Sequence, residues 1–528
     1  MESEKKLGFI LILVLLVLGS GCVQQETGSR PQNYDEISGR VVSENLIVDL
    51  GYFSEFPENF KVSPDSSRFV YVEKKENKQY IVVNGENEKQ YDEIGGFSFS
   101  PDSKRLAYEA KESGKWFMVV DGKEGTHYES VKDLIFSEDS KRLAYVASDS
   151  EKWFVVVDGK EEKRYNSAKM PVFSHDGERV AYEAREGNNW FVVIDGKEEN
   201  TLNSSLFPVF SPDSDRVAYI ARDQDKWFTV VDGKEGKGYD TILMNTLRFS
   251  SGSNNTVYVA KNNGKWFVVV NEEEGKIYDD ILKYTPIFSP DGTRIAYAAS
   301  EGDGMFVVVD GKEETKYNSI LKNTITFSPD SKRVAYAARE ADKWFIVVDG
   351  KEGKRYDDIL KYSPVFSPDS KGLAYAAREG DKWFVIEETA KKNTIDQDML
   401  ILSPVKRSEK KPQNKYPISV SPAQVHLAAI KNNDVEKQDE INKTGKQYYG
   451  IIEGSLTFSP DSKHLIYGVL SSDGQSVVMD GKEGKPYDSI LFIYNGGSIV
   501  FDSQDSFHYL ARKGKGVYLV EEIAAMVI

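Results

Sequence analysis

Apolar residues along this chain fall in short alternating runs, without the long stripes of helical period, and the same run recurs many times. A representative copy reads FSPDSKRVAYAAREADKWFIVVDGKEGKRYDDI, from Phe327 to Ile359. Its apolar stretches VAYAA and WFIVV are one strand long, rich in β-branched and aromatic residues, and bounded by polar turn sequences. The pattern therefore predicts four short strands per copy. In the copy that begins at Ser363, residues 363–367 give strand a, residues 372–377 strand b and Trp383 to Ile386 strand c. Strand d is read in the preceding copy as Lys354 to Ile359.

The turns agree with this division. Ser-Pro-Asp-Ser joins a to b, where Pro fixes φ and Asp accepts from amides ahead of it. Asp-Gly, a strong hairpin signal, joins c to d at Asp121-Gly122, Asp158-Gly159, Asp195-Gly196, Asp232-Gly233, Asp310-Gly311, Asp349-Gly350 and Asp480-Gly481. The first Ser of the a–b turn falls at Ser63, Ser100, Ser137, Ser174, Ser211, Ser250, Ser289, Ser328, Ser367, Ser421 and Ser459, with a degenerate twelfth copy near Phe501. The spacing is 37 residues up to Ser211, 39 from there to Ser367, then 54 and 38.

Four strands in about 38 residues is the size of one propeller blade. The expected fold is all-β, a β-propeller of about 12 four-stranded repeats of 37–39 residues. Ordinary propellers hold roughly 4 to 8 blades, so two rings are expected, with one oversized ring as the alternative. The last copy supplies only three strand-like segments, Ser498 to Phe501, Phe507 to Ala511 and Gly516 to Val520. Val41 to Leu50, ahead of the first copy, can provide the fourth strand and bring the two chain ends into one blade. The recurring Trp116, Trp153, Trp190, Trp227, Trp266, Trp344 and Trp383 read as packing between blades, as do Tyr239, Tyr278 and Tyr356.

The FSPDxKRxAY core, followed about ten residues later by WFVVVDG, resembles the WD-repeat-like propeller repeats of the TolB family and of many envelope proteins. The resemblance spans roughly residues 55–520 and implies the fold, not an activity. It differs from true Trp-Asp repeats in having no Trp-Asp dipeptide.

The N-terminus changes the picture. Leu7 to Leu18 is an apolar run of 12 residues preceded by Lys5 and Lys6, the size of a signal-peptide core and short of a membrane-spanning helix. Gly19, Ser20 and Gly21 then precede Cys22, the one cysteine of the chain, and this resembles a lipobox, which implies lipidation at Cys22. The expected organisation is a signal peptide over 1–21, a polar tether over 22–39, repeats one to nine over 40–384, a charged insertion over 385–417 that includes Lys406 to Pro412, and repeats ten to twelve over 418–528.

Candidate chemistry is sparse. The chain has 528 residues, with 68 Lys and Arg against 84 Asp and Glu, and its net charge of −16 argues against a nucleic-acid partner. No G-x-S-x-G nucleophile elbow occurs, and His127, His175, His426, His464 and His508 show no metal-ligand spacing. No enzyme activity, cofactor or metal is expected. The loops between d and a vary most, and Asn245, Tyr284, Asn323, Tyr362 and Tyr494 there are the candidate ligand-binding residues, ringing the mouth of a central channel. The functional expectation is a lipid-anchored protein of the cell envelope on the extracytoplasmic side, a scaffold for a protein, peptide or glycan. The alternatives are a propeller-type lyase or glycosidase with its acids near the channel mouth, and a structural surface-layer component.

Overall fold

The computed structural model describes residues 34–37, 40–49, 59–199, 204–252, 254–283, 285–389, 446–491 and 499–524. Every regular element among the described residues is a strand, and the strands form eleven antiparallel sheets. The seventh sheet is typical. Its strand a is in two pieces, Asp280–Ile281 and Ile287–Phe288; strand b is Ile295–Glu301, strand c Gly304–Val309 and strand d Lys312–Glu313.

The turn residues hold this sheet as the sequence predicts. Asp310 and Gly311 have φ of 51° and 77°, both left-handed, so the c–d turn twists with its strands. The Asp310 carboxylate also accepts the Ile295 N–H at 2.9 Å, tying that turn to strand b. In the a–b turn the Ser289 hydroxyl donates to Asp291 at 2.6 Å and accepts the Arg294 N–H at 3.0 Å.

Each sheet buries its faces against the next. Ala107, Met118 and Tyr128 of the second blade share a core with Val131 and Phe154 of the third. Eleven such cores run round the molecule, and one of them joins Leu491, Leu510 and Val517 of the last sheet to Val62, Phe69 and Tyr71 of the first. The sheets are thus eleven blades linked in one cycle. Eleven blades stand close to the about 12 repeats expected, and their one cycle among the described residues corresponds to the alternative of a single oversized ring instead of two rings. The blades that carry Ser367 and Ser459 are direct neighbours, because the Asp369 N–H donates to the Ser462 hydroxyl at 2.9 Å, just as Asp330 donates to Ser370 at 2.9 Å. Ser421 lies outside the described residues.

A second contact repeats across the seams. Arg142 donates to the carbonyls of Gly177 and Glu178 in the following blade at 2.9 and 2.8 Å, and its guanidinium lies over Phe173 of that blade. Its Nε holds Asp158 of its own c–d turn at 2.8 Å. Arg68, Arg105, Arg179 and Arg294 repeat the cross-seam bonds. At the closing blade histidines take over: His464 contacts Asp480 at 2.6 Å, and His508 contacts both Asp502 and the Asp65 carbonyl of the first blade.

The predicted joining of the chain ends is present. Arg40–Asp49 pairs with Gly516–Ala524 as the outer strand of the last blade. Tyr34–Ile37, inside the stretch read as a tether, forms a further strand on Arg40 to Ser43. Behind this clasp lies a buried ion pair, Arg40 with Glu522 at 2.8 Å, and the Tyr509 hydroxyl donates to Glu522 at 2.6 Å.

Candidate functional site

Strand a, the sheet edge opposite the exposed d strands, is interrupted in the middle. In the third blade Lys132 pairs with Val146 and Ile135 with Ala144, so Asp133 and Leu134 bulge out opposite Tyr145. In the sixth blade the bulge is longer: Ile242 pairs with Ala260 and Arg248 with Val257, and a turn over Leu243 to Thr246 fills the gap. The Thr246 hydroxyl closes that turn by donating to the Leu243 carbonyl at 2.6 Å and accepting the Val259 N–H at 3.0 Å. Thr285, Thr324, Ser363 and Ser455 close the same turn in blades seven to ten. These two additional residues are the origin of the step in repeat spacing from 37 to 39.

In seven of the blades one residue of the inner bulge is left-handed. It is Asp133 at φ 55°, Met170 at 53°, Phe207 at 54°, Asn245 at 66°, Asn323 at 61° and Tyr362 at 59°, and in the tenth blade Gly454 at 76°. A left-handed L-residue other than Gly, Asn or Asp costs about 1–2 kcal/mol, so Met170, Phe207 and Tyr362 are held there against their preference. From blade to blade this residue is an acid, a thioether, an aromatic or an amide; it stands four residues before the a–b turn Ser in blades three to five and five before it in the blades with the longer turn. Met170 and Tyr362 are exposed by 42% and 46%, which leaves both free to touch a ligand.

Three of the sequence-predicted residues, Asn245, Asn323 and Tyr362, therefore occupy this one structural position, each in its own blade. Their location differs from expectation: they lie within strand a, not in loops joining d to a. The predicted strand d was too long. Tyr356 bridges Trp344 of its own blade, but Asp358 and Ile359 already pair with Arg378 and Ala377 of the next. Tyr284, Tyr494 and Cys22 lie outside the described residues.

Two carboxylates, one partly and one fully buried, break the repeat near these bulges. Glu109, like Glu183 in the fourth blade, stands where the remaining blades carry an apolar residue or glycine; burial pushes its carboxyl up, the Gly96 N–H at 3.0 Å opposes that, and the Asp133 charge adds to the rise. A Cβ at Gly95 would meet its carboxylate at 2.3 Å, so Glu109 fills the space that the Gly95-Gly96 pair leaves. Glu183 is fully buried, pairs with Lys169 at 2.9 Å and accepts the Phe207 N–H at 2.9 Å. Both carboxylates have structural partners on the bulges of the inner edge.

The opposite features of the blade serve packing. Tyr239 and Tyr278 are buried in the seams, as read from sequence. The Tyr336 hydroxyl donates to Glu314 at 2.7 Å, and burial pushes the Tyr91 phenol up to about 12. Grooves of about 260 and 350 Å³ between blades three, four and five are lined by the seam residues Arg142, Asp158, Arg179 and Asp232, and so belong to the latch. Among the described residues no group of three or more His, Cys, Asp and Glu is placed to hold a metal ion, and no helix is long and apolar enough to cross a membrane.

No family model matches the chain, and no curated protein matches it. Solved structures do. The chain is similar to a eukaryotic initiation factor at 14% identity, over 62% of this chain and 96% of that one, with a TM-score of 0.36. It is similar to TolB from Acinetobacter baumannii at 14% identity, over 48% and 77%, with a TM-score of 0.23. The β-propeller domain of the Trilobed protease from Pyrococcus furiosus is 18% identical over 50% of this chain and 99% of that one, with a TM-score of 0.27. The assignment of the chain as a β-propeller rests on its own strand pairing and its closed cycle of cores.

Proposed function

We propose that this protein is a lipid-anchored scaffold of the cell envelope, tethered through Cys22, that binds a protein, peptide or glycan partner at the bulges of its inner strands. One observation carries the binding reading: the left-handed residue of the inner bulge, present in seven blades, changes its side chain from blade to blade while the turns and buried strands repeat. Strain retained at exposed Met and Tyr residues fits a contact surface better than a packing role. The anchor rests on the sequence before Cys22.

Affinity capture from solubilised envelopes tests the reading, with Cys22→Ser as soluble bait and the same chain carrying Asn323→Ala and Tyr362→Ala as control. A stoichiometric partner retained by the first and lost by the second supports binding at the bulges. Equal capture by both moves the site elsewhere. Partition of the unaltered chain into detergent phase, lost with Cys22→Ser, checks the anchor separately.

A further inference from the structure

Blades seven, eight and nine each present a lysine two residues past the first piece of strand a, Lys283, Lys322 and Lys361, and the latter two precede the left-handed Asn323 and Tyr362. All three are exposed, and none has a carboxylate within ion-pairing distance among the described residues. The c–d turn lysines Lys160, Lys197 and Lys234 are likewise exposed and outside any ion pair among the described residues, whereas the b–c hairpins pair theirs. Lys78, Lys226 and Lys343 at the b–c hairpins hold Asp92, Asp240 and Asp357 at 2.7, 2.7 and 2.6 Å. The inner lysines are thus a row of uncompensated cations in a chain whose net charge is −16. Asn323 and the half-exposed Tyr362 stand beside Lys322 and Lys361 and add an amide and an aromatic face.

We infer that this arc is the docking site for a short acidic peptide segment of a partner protein. The inference rests on the proposed binding at the inner bulges and names the partner's chemistry. Packed sheets lie about 10 Å apart, so the lysines recur at about that step. A carboxylate at every third residue of an extended polyproline-type segment recurs at about 9 Å, which matches it. A polymer charged along its whole length brings its flanks against the acidic body and is repelled. A short acidic stretch in an ordinary chain meets only the arc.

The test uses the full chain with Cys22→Ser and a fluorescent peptide carrying Glu at every third residue, followed by anisotropy at two salt concentrations. Polygalacturonate and a single-stranded oligonucleotide are the comparison probes. The altered chain carries Lys283→Gln, Lys322→Gln and Lys361→Gln; a second, with Lys160→Gln, Lys197→Gln and Lys234→Gln, changes three lysines of the c–d turns. The expected result is salt-sensitive binding of the peptide that weakens about tenfold or more in the inner triple variant and less than about twofold in the other. Equal binding by both variants, no peptide binding at low salt, or tighter binding of either comparison probe overturns the inference. Thermal melting of each variant separates lost binding from lost folding. A captured envelope partner that is lost with Tyr362→Ala but unaffected by the inner lysine changes would leave binding at the bulges standing and overturn the acidic partner alone.

Discussion

Tyr362 shows the tension between stability and contact at a single residue. Its φ of 59° suits Asn or Gly, and Asn occupies the equivalent position at Asn245 and Asn323. Tyr362→Asn is therefore expected to raise stability by up to about 1 kcal/mol while weakening partner capture, as thermal melting and pull-down together will show. Acid stability is also decided by single side chains. Asp139, Asp291, Asp369 and Asp461 are each held down at about 2, first by the Ser hydroxyl of the same turn and then by groups that follow it. A carboxylate depressed in the folded state stabilises above its ordinary range near pH 4 and loses that contribution as pH falls toward 2. Unfolding is expected to set in across that window, and Asp291→Asn should remove part of the pH slope seen by circular dichroism.

At the scale of elements, what was legible in the sequence followed local chemistry. Asp310-Gly311 and Ser289 to Asp291 announce their turns because the required φ values and hydroxyl–carboxylate bonds are made within a few residues. The end of strand d was not legible. Tyr356 belongs to one blade and Ile359 to the next, and alternation runs through both without a break. The inner bulges were missed for a related reason: a two-residue change in spacing reveals an insertion but not the strand that takes it up. Asn245, Asn323 and Tyr362 could be singled out, since variation against a repeating background is visible in the letters alone, but their place inside strand a could not. The seam latch depends on contacts between residues about one repeat apart, which no local pattern reveals. Arg142→Lys keeps the charge but cannot reach both carbonyls and Asp158 at once; a loss of about 1–2 kcal/mol in chemical denaturation is expected.

For the molecule as a whole, the clasp in the last blade, where the two ends of the fold pair, sets the outcome of folding. Arg40 and Glu522 are buried together in the clasp, where burial pushes the Glu522 carboxyl up and the Arg40 charge opposes it. Removing one partner strands the other. Arg40→Met should cost about 3–5 kcal/mol, and adding Glu522→Met should restore most of it. Hydrogen exchange is the measurement, with protection expected to fall first over 40–49 and 516–524, whose strands pair across the closure.

The likeness of the seams has a further consequence for how the chain can change. Because each blade meets its neighbour through the same core and turn contacts, no blade records its own ordinal number, and the count of eleven is known to the molecule only where its ends meet. Circumference is then adjustable in whole repeats, as a bracelet is by its links. Excising residues 290–328, which rejoins one Ser-Pro-Asp turn to the next in phase, should yield a closed ring of ten blades with its clasp intact and a smaller radius by small-angle scattering. Growth and shortening by the same unit would alter the breadth of the opening, and with it the partner admitted, while leaving every local contact as it is.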